Sequence, residues 1–342
     1  MRLSLILPVY NDAAGARRAL MSVGKLPFEH EILLADDGSE PAEAQALSRL
    51  REEFPSLRLL TLPHGGVGAA RQAALEAARG DRILFLDGDD TLYPDSLPRA
   101  LAFAEKTEAD VVLFGYGYVQ GSRTAPYLPP EEGVFSPEEF AAHLSAFAEA
   151  DQLGQVWGKL FARRLVTENG LRFPAEPWGE DRLFLHRALA SARRIAASSL
   201  LLYRYAPREG GLCRRYLEEK PPLCVALHRS LTALFARFGK EEEARGLCRK
   251  VFLKGLLSHG ASLYSHPPLP RRRRREEGRR LLETARLVPS APAADGTHRL
   301  LEWVFERKSP LPLLILGHLS HLLRARLPAV FCRAAHGKHR TK

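Results

Sequence analysis

The chain has 342 residues, 45% of them hydrophobic and 26% charged, ordinary values for a soluble globular protein with apolar material for a large domain and a smaller one. That composition excludes wholesale disorder, a collagen-like repeat and an integral membrane protein. The net charge of +10 is unevenly spread: residues 1–210 carry 23 Lys/Arg against 29 Asp/Glu, and residues 211–342 carry 27 against 11. An acidic body is thus followed by a strongly basic segment suited to an anionic surface or polymer.

Along the first 115 residues, short apolar runs alternate with helical patterns. Leu3–Val9, Glu31–Ala35, Leu57–Leu62, Ile83–Leu86 and Val111–Phe114 read as buried strands, each rich in Ile, Val, Leu or Phe and closed by polar or Gly/Pro residues. Between them Ala13–Ser22, Ala42–Glu53, Gly68–Ala78 and Leu97–Thr107 have helical composition. Such alternation predicts a mostly parallel α/β sheet flanked by helices, with ligands beyond the carboxyl ends of the strands. Residues 116–150 read as a connection with one helix, Pro137–Ala148, and 155–205 as mixed structure. From about Arg214 onward the pattern is mainly helical: Leu223–Phe238, Glu241–Tyr264, Glu276–Leu287 and Thr297–Arg307.

Three strand ends deliver polar or acidic residues to one edge. Asp87-Gly88-Asp89 follows a buried run, and two carboxylates there can hold a divalent cation, Mn²⁺ or Mg²⁺, that bridges to donor phosphates; a plain Asp/Gly turn is the competing reading. Asp36-Asp37-Gly38-Ser39 can accept hydrogen bonds from a base or ribose, or can serve as a turn and helix cap. His64-Gly65-Gly66-Val67-Gly68 is a Gly-rich loop without dinucleotide or P-loop spacing, and Arg71, one turn into the next helix, can reach a diphosphate. Glu180-Asp181 after Trp178-Gly179 can supply a general base, or simply start a helix. Four scattered cysteines show no metal-ligand spacing. No signal peptide or spanning segment is evident, so a cytoplasmic location is expected.

Taken in order, Leu-Pro-Val-Tyr-Asn-Asp (7–12), Asp-Asp-Gly-Ser (36–39), Gly-Gly-Val-Gly-Ala-Ala-Arg (65–71), Phe-Leu-Asp-Gly-Asp-Asp (85–90), Trp-Gly-Lys-Leu-Phe (157–161) and Glu-Asp (180–181) resemble family 2 glycosyltransferases over roughly residues 1–210. The chain departs from that pattern at His64, Gln72, Gly158 and Gly210-Gly211. The resemblance implies a GT-A fold, a nucleotide-sugar donor (a UDP-sugar is expected) and inverting transfer to a glycan, lipid-linked or cell-surface polymer acceptor. It places Pro8, Val9, Tyr10, Asp12, Asp37, Gly66, Arg71, Asp87 and Gly88 on the nucleotide sugar, and Asp89 with Asp87 on the metal. Asp181 becomes the general base with Glu180 beside it, and Trp157 and Lys159 line the acceptor side.

A catalytic domain over 1–212 and a basic helical domain over 213–342 follow. In the latter, Arg271–Arg275 is a like-charge run, read as a solvated loop or as a contact for anionic lipid at the inner face of the membrane. The apolar stretch Leu311–Leu323, followed by Arg324 and Arg326, either packs on the catalytic domain or lies in a bilayer interface. Nucleic acid is not the expected partner. Competing classes are a sugar nucleotidyltransferase, which would release pyrophosphate, and a non-catalytic adaptor using the basic tail.

Overall fold

The computed structural model describes residues 2–121, 123–207, 216–265 and 267–326. Two compact units divide the chain, Met1–Pro207 and Arg208–Lys342. The boundary expected at 212/213, like Gly210 and Gly211, lies outside the described residues.

The first unit runs β1 (Leu3–Val9), α1 (Ala13–Val23), β2 (His30–Asp36), α2 (Pro41–Glu53), β3 (Leu57–Thr61), α3 (Val67–Ala77), β4 (Arg82–Phe85), β5 (Thr91–Leu92), α4 (Ser96–Thr107) and β6 (Val111–Gln120). It continues as β7 (Arg123–Tyr127), β8 (Gly133–Phe135), α5 (Pro137–Glu149), β9 (Lys159–Ala162), α6 (Arg163–Glu168), α7 (Glu180–Ser191) and β10 (Ile195–Tyr205). All seven residues of β1 are buried, an apolar run interrupted only by Ser4, which donates to Glu31, as in a strand covered on both faces. Helix starts follow local chemistry: Asp12 caps α1 by accepting the Gly15 N–H, and Ser136 and Glu139 form a reciprocal capping box behind Pro137 on α5.

The strands form one mixed sheet in the order β3-β2-β1-β4-β9-β6-β10-β5, with β7 on β6 and β8 on β10. The chain steps outward from β1 to β2 and β3, then returns to place β4 on the other side of β1. Such a reversal opens a crevice at the carboxyl ends of β1 and β4, the site that open α/β sheets use for ligands. Register sharpens this. Val9 lies opposite Asp36, so the segments after β1 and β2 emerge level, and Ile6 lies opposite Phe85, so Asp87 emerges beside Pro8 and Val9.

Residues 116–135 differ from the sequence reading. In place of a plain connection, β6 continues to Gln120 and returns as β7, and β8 joins the edge of β10. Gly115 and Gly117 dilute the apolar run there, and β7 is exposed along most of its length, so neither strand carries the pattern of a buried one.

The second unit is helical: α8 (Lys220–Arg237), α9 (Glu241–Ser262), α10 (Arg271–Arg286), α11 (Gly296–Phe305) and α12 (Leu311–Arg326). The central helix α9 touches each of the other four. Its buried Arg249 pairs with both carboxylate oxygens of Glu302 (2.8 and 3.0 Å) and donates to the carbonyls of Ala285 and Val288, so one charge ties α9 to α11 and to the end of α10. Arg271–Arg275 is not a loop; it is the first turn of α10. Five cations oppose the helix dipole at that end, an effect offset by the Arg272–Glu276 pair and by burial of Leu281, Leu282 and Ala285 further along. Cys224 and Cys248 are buried thiols; Cys213 and Cys332 lie outside the described residues. Among the described residues no helix is long and apolar enough to cross a membrane.

α12 lies so close to α9 that a Cβ on Gly317 would come within 2.9 Å of the Gly260 carbonyl. Gly317→Val should therefore destabilise the helical unit by roughly 1–3 kcal/mol, the cost of overpacking a tight contact. Urea unfolding followed by circular dichroism checks it; an unchanged midpoint would disprove the close approach.

Candidate active site

The crevice is built from short segments that leave the sheet together. After β1, Asn11 adopts a left-handed backbone (φ 51°) that turns the chain toward α1. Its N–H donates to Ser39 Oγ (2.9 Å), its Oδ1 accepts from the Glu40 N–H (2.8 Å), and the Ser39 N–H donates to Asp36 Oδ1 (2.9 Å). These bonds knit the ends of β1 and β2 into one rim.

Asp37, buried in that rim, accepts from the Gly65 N–H (2.8 Å) and, through both oxygens, from the Gly66 N–H (3.1 and 3.0 Å). It thereby holds the Gly-rich loop at the start of α3. The His64 ring bonds the Asp37 carbonyl (2.9 Å) and stacks on Tyr10, centroids 4.4 Å apart. Tyr10 is 50% exposed, so the stacked pair presents an aromatic face beside a buried carboxylate. Asp12 is engaged as the cap of α1.

Across the crevice, the turn after β4 packs on β1: a Cβ at Gly88 would lie 3.1 Å from Val9 and 3.2 Å from the Pro8 carbonyl. Glycine at this position lets the Asp87–Asp89 turn lie close against the end of β1. Asp89 is exposed and Asp87 half-buried. Behind them Asp90 is buried, accepting from the Tyr203 hydroxyl (2.7 Å) and the Ala206 N–H (2.9 Å), while the Asp87 N–H donates back to that hydroxyl (3.1 Å). Burial, then the charges of Asp87 and Asp89, push the Asp90 carboxyl up to about 8.

Arg71 joins this turn to the start of α7. It is 4% exposed; one terminal nitrogen donates to Asp87 Oδ1 and the other to Glu180 Oε1, both at 2.6 Å. Burial opposes its charge but the carboxylates of Asp87, Glu180 and Asp181 outweigh that, and the guanidinium stays ionised. Glu180 and Asp181 open α7 after Gly179, whose left-handed backbone (φ 83°) sets the turn. Burial, then the neighbouring Asp181, raise the Glu180 carboxyl to about 7 against the pull of Arg71. Burial also raises Asp181, opposed by Arg71 and Arg182, and its Oδ1 accepts the Arg182 N–H (2.7 Å).

Trp157 stacks between Tyr203 and Tyr205, centroids at 4.5 and 5.3 Å, with the edge of Tyr116 at 4.9 Å. Lys159 is buried, donates to the Trp157 carbonyl (3.4 Å), and has its ammonium lowered to about 7 by burial against the pull of Asp151 and Asp181. Trp157, Tyr203, Asp87, Arg71 and Glu180 therefore form one continuous run of contacts. Tyr10, His64 and Asp37 form a second cluster on the opposite lip.

Among the described residues no three His, Cys, Asp or Glu side chains gather as a preformed metal cage. Two carboxylates flanking a glycine are nonetheless the donor set a hard cation uses when phosphate oxygens and water complete its shell. The residues fit such a shared cation and would not hold one alone. Two features escaped the sequence reading: the bridging position of Arg71, expected on a diphosphate and here engaged by two carboxylates, and the Asp90–Tyr203 lock. The Asp-Gly-Asp-Asp run is legible in the sequence, but the 113-residue separation of Asp90 and Tyr203 hides their pairing.

Residues 4–162 match the family profile described as Glycosyl transferase family 2. EpsH of Bacillus subtilis, itself a proposed glycosyltransferase, is 27% identical over 248 residues, 71% of each chain. TarS of Staphylococcus aureus, a poly(ribitol-phosphate) beta-N-acetylglucosaminyltransferase, is 30% identical over 62% of this chain; the match spans 36% of TarS, about a third of its length. The solved structure of TarS 1–349 in complex with UDP-GlcNAc superposes with a TM-score of 0.66, covering 96% of this chain and 92% of that one at 23% identity. Motif order, profile and fold agree: residues 4–162 are a glycosyl transferase family 2 segment, and the N-terminal unit around them has a GT-A fold.

Proposed function

We propose that this glycosyltransferase moves a sugar from a UDP-sugar to a hydroxyl of a glycan, lipid-linked or cell-surface polymer acceptor, with inversion, using Mn²⁺ or Mg²⁺ and Asp181 as general base. The observation that carries the reading is the Asp87–Arg71–Glu180 bridge, because it joins a cation-competent strand end to an acidic helix start across one crevice. The donor choice is supported by the TarS 1–349 structures, which share the fold and were solved with UDP-GlcNAc and with UDP.

In this reading the uracil lies against Tyr10 and the rim held by Asp37, and the diphosphate lies over Asp87-Gly88-Asp89. A bound divalent cation would neutralise charge on the departing diphosphate. Asp87 and Asp89 would hold it, with Asp90 and Tyr203 fixing the turn from behind. The bond between the anomeric carbon and the diphosphate oxygen breaks, its electron pair leaving with the nucleotide. The acceptor oxygen bonds that carbon from the opposite face and its proton passes to Asp181. Glu180 shares the charge of the acidic pair with Arg71, and the Trp157–Tyr205 wall orients the acceptor.

Three outcomes test this. Asp181→Asn should fold and retain donor binding while transfer drops about 10²–10⁴-fold, the usual worth of a general base; near-normal transfer would sink the role. With a panel of UDP-, GDP-, CDP- and dTDP-sugars, nucleoside diphosphate release should require added cation, stop with EDTA and be lost in Asp89→Ala. Pyrophosphate release would instead point to nucleotidyl transfer. The third concerns pH. A base works only when unprotonated and burial raises the Asp181 carboxyl, so transfer should fall tenfold per unit as pH drops below that raised value. Removing one like charge with Glu180→Gln should move that limb to lower pH, and an unmoved limb would detach the pair from the rate.

A further inference from the structure

The second unit presents a surface that sugar transfer in the first does not use. Along α12, Leu311, Ile315, Leu319 and Leu323 recur every four residues and are 60%, 53%, 49% and 39% exposed. Four large apolar side chains in one helical row are far more than the scattered exposure of a soluble surface. No Asp, Glu, Lys or Arg interrupts the helix between Leu311 and Leu323. Its inner face is occupied by packing on α9 at Gly260–Gly317, so the outward row is surplus to the fold of the unit.

This row has a charged border. Arg274 sits over the Tyr264 ring at 4.7 Å, and that ring lies 4.5 Å from His318, one residue before Leu319 on α12. The arginine run of α10 is therefore tied directly to the edge of the apolar row. Arg271, Arg272, Arg273 and Arg275 are exposed. An apolar helix face lying beside clustered guanidinium groups has the chemistry of an element that rests in a headgroup layer, rings and aliphatic chains inward and cations against lipid phosphate.

We propose that the outer face of α12, bordered by the first turn of α10, docks this chain on an anionic bilayer. Charge decides among occupants. The C-terminal segment 211–342 has 27 basic against 11 acidic residues, so the same face of a second copy brings more positive charge to it, whereas an anionic lipid surface neutralises it. The four-residue repeat also gives a row about 18 Å long (1.5 Å per residue over twelve steps), enough to lie along a surface and too short to span one.

The test is flotation of the full chain with vesicles of phosphatidylglycerol and phosphatidylcholine, against phosphatidylcholine alone, at low and high salt. Binding should require the anionic lipid and weaken with salt. Ile315→Asp with Leu319→Asp should lower partitioning at least about tenfold, and Arg271, Arg272, Arg273 and Arg275 all changed to Ser about a hundredfold. Circular dichroism confirms that each variant folds, and donor turnover should stay at the wild-type rate in both, so this result and the assignment of the active site stand or fall separately. Absence of binding at low salt, equal binding to both vesicle types, or binding untouched by either variant would overturn the proposal. So would a dimer in sedimentation that the apolar variant abolishes, which would assign the face to a second copy.

Discussion

The buried Arg71 guanidinium is the constraint on which the geometry of the active site depends. It is held between Asp87, at the end of a strand, and Glu180, at the start of a helix 109 residues beyond Arg71 itself. A buried charge is tolerated only when paired, and breaking such a pair leaves an uncompensated charge at a cost of about 3–5 kcal/mol. The two carboxylates thus have strong reason to stay where they are. That rigidity places Asp181, the next residue, at a fixed distance from the turn that would bear the diphosphate. Burial raises both carboxyls, Glu180 further through the charge of Asp181, and Arg71 offsets this only in part.

A second layer supports the first. Tyr203 touches both parts of the site: its hydroxyl accepts from the Asp87 N–H and donates to Asp90, while its ring stacks on Trp157. One side chain from β10 thereby links the turn after β4 to the aromatic wall expected to face the acceptor. Replacing any of these groups would loosen partners on both sides. The site therefore behaves as a packed polar core rather than a set of surface residues.

The helical unit uses the same device at Arg249 and Glu302. There the ion pair fastens α9 to α11 while Arg249 also donates to the Ala285 and Val288 carbonyls at and just past the end of α10, and its function is structural. The chemistry that distinguishes the two units lies in what is exposed. In the first unit carboxylates and an aromatic pair line a crevice; in the second an apolar row and arginines face outward.

Much of this was determined by the sequence alone. Local periodicity marks the buried strands, because a strand covered on both faces must be continuously apolar, and it marks the helices of both units. The ordered motifs from Pro8 to Asp181 carry the likeness to family 2, because their acidic and Gly-rich segments fall at the strand ends where an open α/β sheet binds ligands. Tertiary structure decided what periodicity does not encode. The β6–β7 return escapes the pattern because glycines and exposed residues carry no alternation, and Arg271–Arg275 becomes helical because apolar residues later in α10 bury and carry the arginines with them. That Arg71 bridges Asp87 and Glu180, or that Asp90 meets Tyr203, depends on the sheet order bringing distant segments within hydrogen-bond reach. A single sequence names these residue types without fixing which charge each will face.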